Sequence, residues 1–236
     1  MKKLTLLLLL ALGHCIAYAQ NQKIIEKRLP FSNKQTVSLN LRFANDIKVQ
    51  YWDKAEVYVK ISAEINSGKL NDALVVTTNN TAQDLSLKID FDNEMLKKGR
   101  PEDCPDSKEA RRSSWSNNGQ EYYVCSTINY EVFLPKQAEV SLETINGNIW
   151  INSVAGNLNA KTISGFVELN WPKGKGGNIG MKTITGEVYS DLDIAFTTKR
   201  QKNPIVGYLL EGKVYGGGPE VHLESISNNV YVRNKN

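Results

Sequence analysis

Histidine is nearly absent from this chain. Only two of the 236 residues are histidine, and beyond residue 19 His222 stands alone. A Ser-His-Asp constellation would have to use it, and a histidine-built metal centre would have no other ligand of that kind. It lies between Val221 and Leu223 in an alternating stretch, so a strand period turns it outward to solvent. Cysteine is also scarce, with three residues and no C-x-x-C pair, which argues against a thiolate metal site or a redox motif. Neither sign of charge dominates: 29 basic residues face 25 acidic ones. The concentrated basic face that nucleic acid wants is therefore not expected. Long apolar runs are missing too. The one at 4–12 is far short of the roughly 20 residues that span a bilayer, so no transmembrane span is expected.

The first nineteen residues have the form of a leader. Lys2 and Lys3 precede the apolar run, and "AYA" precedes Gln20. A charged start, a short apolar core and a small-x-small site make a secretory signal peptide. "LGHC" approaches a lipobox, but His14 stands where that motif takes Gly or Ala, which favours cleavage after Ala19 over lipidation of Cys15. Removing the leader takes two lysines and no acid, leaving 27 basic against 25 acidic residues, a net of +2. Residues 20–236 suit a single domain, expected in the periplasm, at the cell surface or secreted. Their only cysteines, Cys104 and Cys125, lie in or beside a polar stretch at 93–120 with no hydrophobic period. In a compartment that permits disulfides, a structural bridge between them would stabilise the fold by roughly 3 kcal/mol.

What the chain does contain is a repeated phrase. "TINGNIWI" at 144–151 returns as "TISGFVEL", "TITGEVYS" and "SISNNVYV". With Gly147, Gly165, Gly186 and Asn228 as position zero, the residue two before is always isoleucine and three before always Thr or Ser. Five before is apolar (Leu142, Ala160, Met181, Leu223), and four before is charged (Glu143, Lys161, Lys182, Glu224). Two after come Ile149, Val167, Val188 and Val230. This is strand alternation on both sides of a break. The break itself asks for positive φ, which glycine adopts freely and asparagine tolerates next best. Each unit thus reads as strand, corner, strand. The intervals are 18, 21 and 42 residues, so a further corner is expected at Gly207, with Ile205 two before it and Leu209 two after. Coils of about 20 residues, stacked in chain order at ~4.8 Å, describe a β-solenoid. A β-sandwich also needs many short strands, but it has no reason to repeat the residues at its turns.

The N-terminal half alternates in the same way. "VSLNLRF", "IKVQYW", "EVYVKI", "LSLKIDF" and "INYEVFLP" all read as strands, and no segment keeps a helical period. The succession of "VSLNLRFANDIKVQYWDKAEVYVKI", "YEVFLPKQAEVSLETINGNIWI", "TISGFVEL", "TITGEVYS" and "VHLESISNNVYVRNK" resembles a family of bacterial envelope proteins called putative adhesins. These carry a domain of unknown function and are common in Bacteroides-like bacteria. The resemblance spans the chain from residue 20 except 93–120, and rests on order and period. It implies a β-solenoid exposed to the periplasm or exterior, and it supplies no catalytic residues. Asn228 departs from the family's usual glycine, and the cysteine-bearing loop is a local elaboration.

Other constellations are weaker. Asp191 and Asp193, two apart with Glu187 nearby, have the residue types of a glycosidase pair or a calcium site. Alternation with Leu192 and Ile194 explains them as a solvated face. The glycine clusters at 174–177 and 216–218 lack the following helix that a phosphate loop needs, and read as flexible corners. The outward column three after each corner is more suggestive: Trp150, Glu168, Tyr189, Leu210 and Tyr231. Trp52 and Trp171 fall at strand ends. Exposed rings there would stack on sugar or contact a protein; packing beneath the 93–120 loop would explain them equally well. The expectation is an exported, non-enzymatic envelope protein without cofactor, with a structural, adhesive or binding role. Its partner would be a glycan or another envelope protein, with Trp150, Tyr189 and Tyr231 as candidate contacts. The alternative is a carbohydrate-binding or carbohydrate-cleaving solenoid, distinguished by two facing carboxylates in a groove.

Overall fold

A computed structural model describes residues 22–106, 110–117, 119–197 and 207–235. The leader at 1–19, with Cys15, and Pro204 and Ile205 of the expected 207 unit lie outside the described residues. The N-terminal half forms β1 (Lys23–Pro30), β2 (Thr36–Asn40), β3 (Asp46–Trp52) and β4 (Glu56–Ile65). Next come β5 (Leu74–Asn80), β6 (Asp84–Phe91), β7 (Arg111–Asn117) and β8 (Gln120–Pro135). The repeats supply β9 (Glu139–Asn146), β10 (Asn148–Ile151), β11 (Leu158–Ser164) and β12 (Val167–Trp171). They continue with β13 (Gly177–Thr183), β14 (Val188–Ser190), β17 (Glu220–Ser225) and β18 (Val230–Asn234). Between the last two pairs lie β15 (Ala195–Phe196) and β16 (Leu209–Val214).

Among the described residues these strands make two nine-stranded sheets, and the order along neither closes it into a barrel. One sheet runs β1-β4-β8-β3-β10-β12-β18-β14, with β7 also on β8; the other runs β15-β16-β13-β17-β11-β9-β2-β6-β5. Alternation puts the apolar phase of each strand between the sheets. Ile149, Val167 and Val230 align across β10, β12 and β18 and are fully buried. Each such side chain stabilises the fold by roughly 1.5–3 kcal/mol relative to exposure.

The repeated units do stack in parallel, strand on strand in both sheets, in the register the repeat implies. They do not stack in chain order. The β17–β18 unit inserts between β11–β12 and β13–β14, and the Gly207 unit is not a parallel coil. Its strand β16 runs antiparallel to β13, with Leu210 opposite Met181. Antiparallel strands β1, β4, β5 and β7 complete the other end.

Charge favours this order. Chain order would set Lys161 beside Lys182, whereas the observed stack places Glu224 between them, 3.5 Å from each. Like charges facing across strands cost energy where opposite ones stabilise, each by up to about 1 kcal/mol. Glu224→Lys should therefore lower stability by about 1–2 kcal/mol at low salt. Thermal unfolding at rising salt checks this: the deficit should shrink as the charges are screened, and a salt-independent deficit would assign the loss to packing.

The corners also differ from expectation. Gly147 and Gly165 have φ of +113° and +153°, but Gly186 and Asn228 are not in the positive-φ region. The constraint shared by the glycines Gly165, Gly186 and Gly207 is the neighbouring backbone. A Cβ on Gly165 would lie 2.1 Å from the Gly147 carbonyl oxygen, one on Gly186 2.2 Å from that of Asn228, and one on Gly207 1.9 Å from that of Thr183. The Thr or Ser three before Gly147, Gly165, Gly186 and Asn228 is buried, and all but Thr144, which bonds Asn146 in its own unit, fasten the stack. Thr162 donates to the Gly147 carbonyl (3.0 Å), Ser225 to that of Gly165 (2.6 Å) and Thr183 to that of Asn228 (2.7 Å). The same hydroxyls accept the amides of Asn228 and Gly186 within their own units.

The 93–120 stretch is less irregular than its composition implies. Asp92 caps a single helical turn, α1 (Asn93–Leu96), by accepting the amides of Glu94 and Met95. The polar "RRSSWSN" forms β7, a hairpin with β8. Cys104 and Cys125 are disulfide-bonded, with Cα atoms 5.6 Å apart. No helix among the described residues is long and apolar enough to cross a membrane.

Candidate functional site

The outward column forms on the first sheet, because β10, β12, β18 and β14 share one register. Trp150 lies opposite Glu168, Glu168 opposite Tyr231, and Tyr231 opposite Tyr189. Leu210 is not in this column; it belongs to β16 in the other sheet. Trp150 and Tyr189 remain 38% and 49% exposed. The cysteine-bearing excursion pairs with β8, two strands from β10, so these rings are not buried beneath it.

The rings do not form a flat line. Tyr189 stacks on Tyr231 at 5.2 Å and 11°, whereas Phe166 meets Trp150 and Tyr231 edge-on, at 4.7 Å and 5.9 Å. Phe166, the residue after Gly165, fills the row where Glu168 interrupts it. Sequence reasoning passed over it because it sits at the corner, outside the strand phase. Trp150 is held in place by its indole N–H, which donates to Asp46 Oδ1 at 3.2 Å. Arg233 pairs with Glu168 at 3.4 Å and lies over the Tyr231 ring. The result is an aromatic surface with one ion pair set into it.

Asp46 links this row to a second region. It also accepts from the Asn148 side chain at 3.0 Å and, with Arg111, lines a polar hollow of about 480 Å³. Arg111 donates from Nε to the Ala44 carbonyl at 2.8 Å. Burial holds its guanidinium pKa below the usual value, and Asp46 opposes that shift. Beyond Arg111 opens a cleft of about 800 Å³ between the β7–β8 hairpin and the corner that joins β2 to β3.

That corner is one residue longer than the glycine corners. Leu39 aligns with Leu142 and Ile47 with Ile149, so eight steps stand where the repeat takes seven. Phe43 takes φ +64° there and stacks on Phe91 at 4.2 Å. Arg42 pairs with Asp90 at 3.3 Å. The Phe91 amide bonds Asp90 and, with Lys88 and Arg42, keeps its carboxyl below the usual carboxylate range against the opposing effect of burial.

The enzyme-like candidates do not converge. Asp191 and Asp193 lie on an exposed segment after β14 rather than on one strand face, and Asp191 accepts the Asn234 amide at 2.6 Å. His222 faces outward on β17, beside Asn159 and Gly180. Glu187 follows Gly186 at its corner, its amide donating to Asn229. The two glycine clusters pack on each other between strands, Gly176 against Gly217. Among the described residues no three His, Cys, Asp or Glu are grouped to hold a metal ion.

Two open sheets, stacked strand-corner-strand units and an exposed aromatic column define the class of molecule. A putative cell adhesion protein from Clostridium sporogenes is similar in structure, with TM-score 0.52 at 13% identity, covering 91% of this chain and all of that one. At that identity the likeness extends to the fold alone. A putative adhesin from Bacteroides fragilis matches at TM-score 0.30 and 12% identity, over 90% of this chain and 97% of its own. No family model and no curated protein matches the chain.

Proposed function

We propose that the chain is an exported, non-enzymatic binding protein of the cell envelope, and that its aromatic face takes a glycan. The stacked parallel units are read here as a short β-solenoid whose ends are completed by antiparallel strands. Such a stack is rigid, because each corner is fastened to the next by a buried hydroxyl, and it can hold side chains in fixed columns. The observation that carries the reading is the exposure of Trp150 and Tyr189 in one register on a single sheet face. Aromatic faces next to a polar rim suit the apolar faces of sugar rings, with hydroxyls reaching the Glu168–Arg233 pair. The adhesion-related names of the structural neighbours agree with a binding role. The placement of Asp191 and Asp193 on a solvated segment after β14, with Asp191 taken up by the Asn234 amide, supports binding over hydrolysis.

The test is a screen of the purified protein against cell-wall and host glycans, repeated with Trp150→Ala plus Tyr189→Ala. If each stacked ring contributes about 1 kcal/mol, the double variant should bind roughly tenfold more weakly or worse. Its melting temperature should move by only a few degrees, since both rings are partly exposed. Unchanged binding in a folded double variant would remove this face from consideration.

A further inference from the structure

The arginine cleft is linked to the aromatic row through shared residues. Trp150 bonds Asp46, Asp46 shares the polar hollow with Arg111, and Arg111 lines the cleft. Three of the cleft's lining residues are arginines, Arg42, Arg111 and Arg112, and one, Asp90, is acidic. Trp115, 37% exposed, and the stacked Phe43 and Phe91 add ring surface. The Nε of Arg42 is buried with no hydrogen-bond partner among the described residues, which is rare for a buried polar atom. Arg112 donates to the Pro105 carbonyl at 2.7 Å and pairs with Asp106 at 3.4 Å, so its exposed guanidinium is held at the rim.

We infer that this cleft binds the anionic group of an acidic glycan, a carboxylate or a sulfate, while the aromatic row carries the neighbouring sugars. This rests on the glycan reading above and narrows its ligand class. Guanidinium forks pair with planar or tetrahedral oxyanions through two parallel hydrogen bonds, which a neutral hydroxyl cannot match. Arg42 and Arg112 already pair with Asp90 and Asp106, but among the described residues no carboxylate lies within ion-pair distance of Arg111, and a half-buried guanidinium in a concave site favours an anion over a neutral sugar or a cation.

Binding of the purified protein to polygalacturonate, dextran sulfate and neutral dextran tests this. At least one acidic polymer should bind tenfold or more tightly than dextran, and raised salt should weaken that preference; comparing the two acidic polymers separates carboxylate from sulfate recognition. Arg111→Gln with Arg112→Gln should abolish the preference, leaving any affinity for dextran unchanged. Arg112→Gln alone, at the exposed rim, should cut the preference severalfold and serves as the readout if the double variant unfolds. Equal binding of all three polymers, or a preference that survives in the arginine variants, would overturn the inference while leaving the aromatic-face reading intact. Acidic binding lost in the arginine variants but untouched in Trp150→Ala/Tyr189→Ala would keep the cleft and remove the aromatic face. No binding to any of the three polymers would overturn the inference, leaving the aromatic face to be decided by the wider glycan screen.

Discussion

Gly165→Val is expected to destabilise the protein by about 3–5 kcal/mol, combining backbone strain with steric overlap of similar size. The new Cβ would lie 2.1 Å from the Gly147 carbonyl oxygen and 2.5 Å from its carbon, at a residue whose φ is +153°. Any shift to relieve that overlap moves the Gly165 carbonyl, which accepts from Ser225 at 2.6 Å. In thermal unfolding the loss corresponds to roughly 6–20 °C at this chain length. Two further variants separate the causes. Gly186 does not have positive φ, yet its Cβ would meet the Asn228 carbonyl at 2.2 Å; Gly174 has φ +70° but nothing within 4 Å. If close approach dominates, Gly186→Ala should cost clearly more than the roughly 1 kcal/mol expected of Gly174→Ala. The reverse ranking would restore positive φ as the reason for glycine at these corners.

The same corners mark how far the sequence could be read. Strand identity, facing and register were legible, because a period of two around a fixed break places Ile149, Val167, Val188 and Val230 in one buried or half-buried column whatever the order of units. The order itself was not read, since every unit presents the same apolar edge to its neighbours. The charges four before each corner do carry an order: Glu143, Lys161, Lys182 and Glu224 alternate in sign when Glu224 is placed between the lysines. That signal lay in the sequence, as did the hydroxyl three before Gly147, Gly165, Gly186 and Asn228, which strand propensity alone also explains. Strand β7 was hidden for another reason. From Arg112 to Ser116 its residues are exposed, so hydrophobic alternation had nothing to report. The cleft it walls was hidden with it, because Arg42 and Arg111 are 69 positions apart and meet only through the hairpin.

That hairpin leads to the other large effect. Replacing Cys104 and Cys125 together by alanine should lower stability by about 3 kcal/mol, the loop-closure value for a separation of 21 residues. At this chain length the melting temperature would fall by roughly 6–12 °C, and a reducing agent should do the same to the parent. The size follows from how little else holds the excursion. Its buried anchors are Leu96, Gly99, whose carbonyl accepts the Tyr123 amide, and Asp103, held by an ion pair to Lys69 and by its carbonyl, which accepts from Ser67 at 2.8 Å. Cys125 lies on β8, which pairs with β3, β4 and β7, so loosening it reaches the centre of the first sheet. Hydrogen exchange should locate the loss: amides of β7 and the adjoining part of β8 should exchange faster in the variant, whereas those of β9 to β12 stay protected up to global unfolding. A melting point within about 2 °C of the parent, with β7 still protected, would mean that packing and the Asp103 contacts hold the hairpin. The arginine cleft would then keep its shape without the bond.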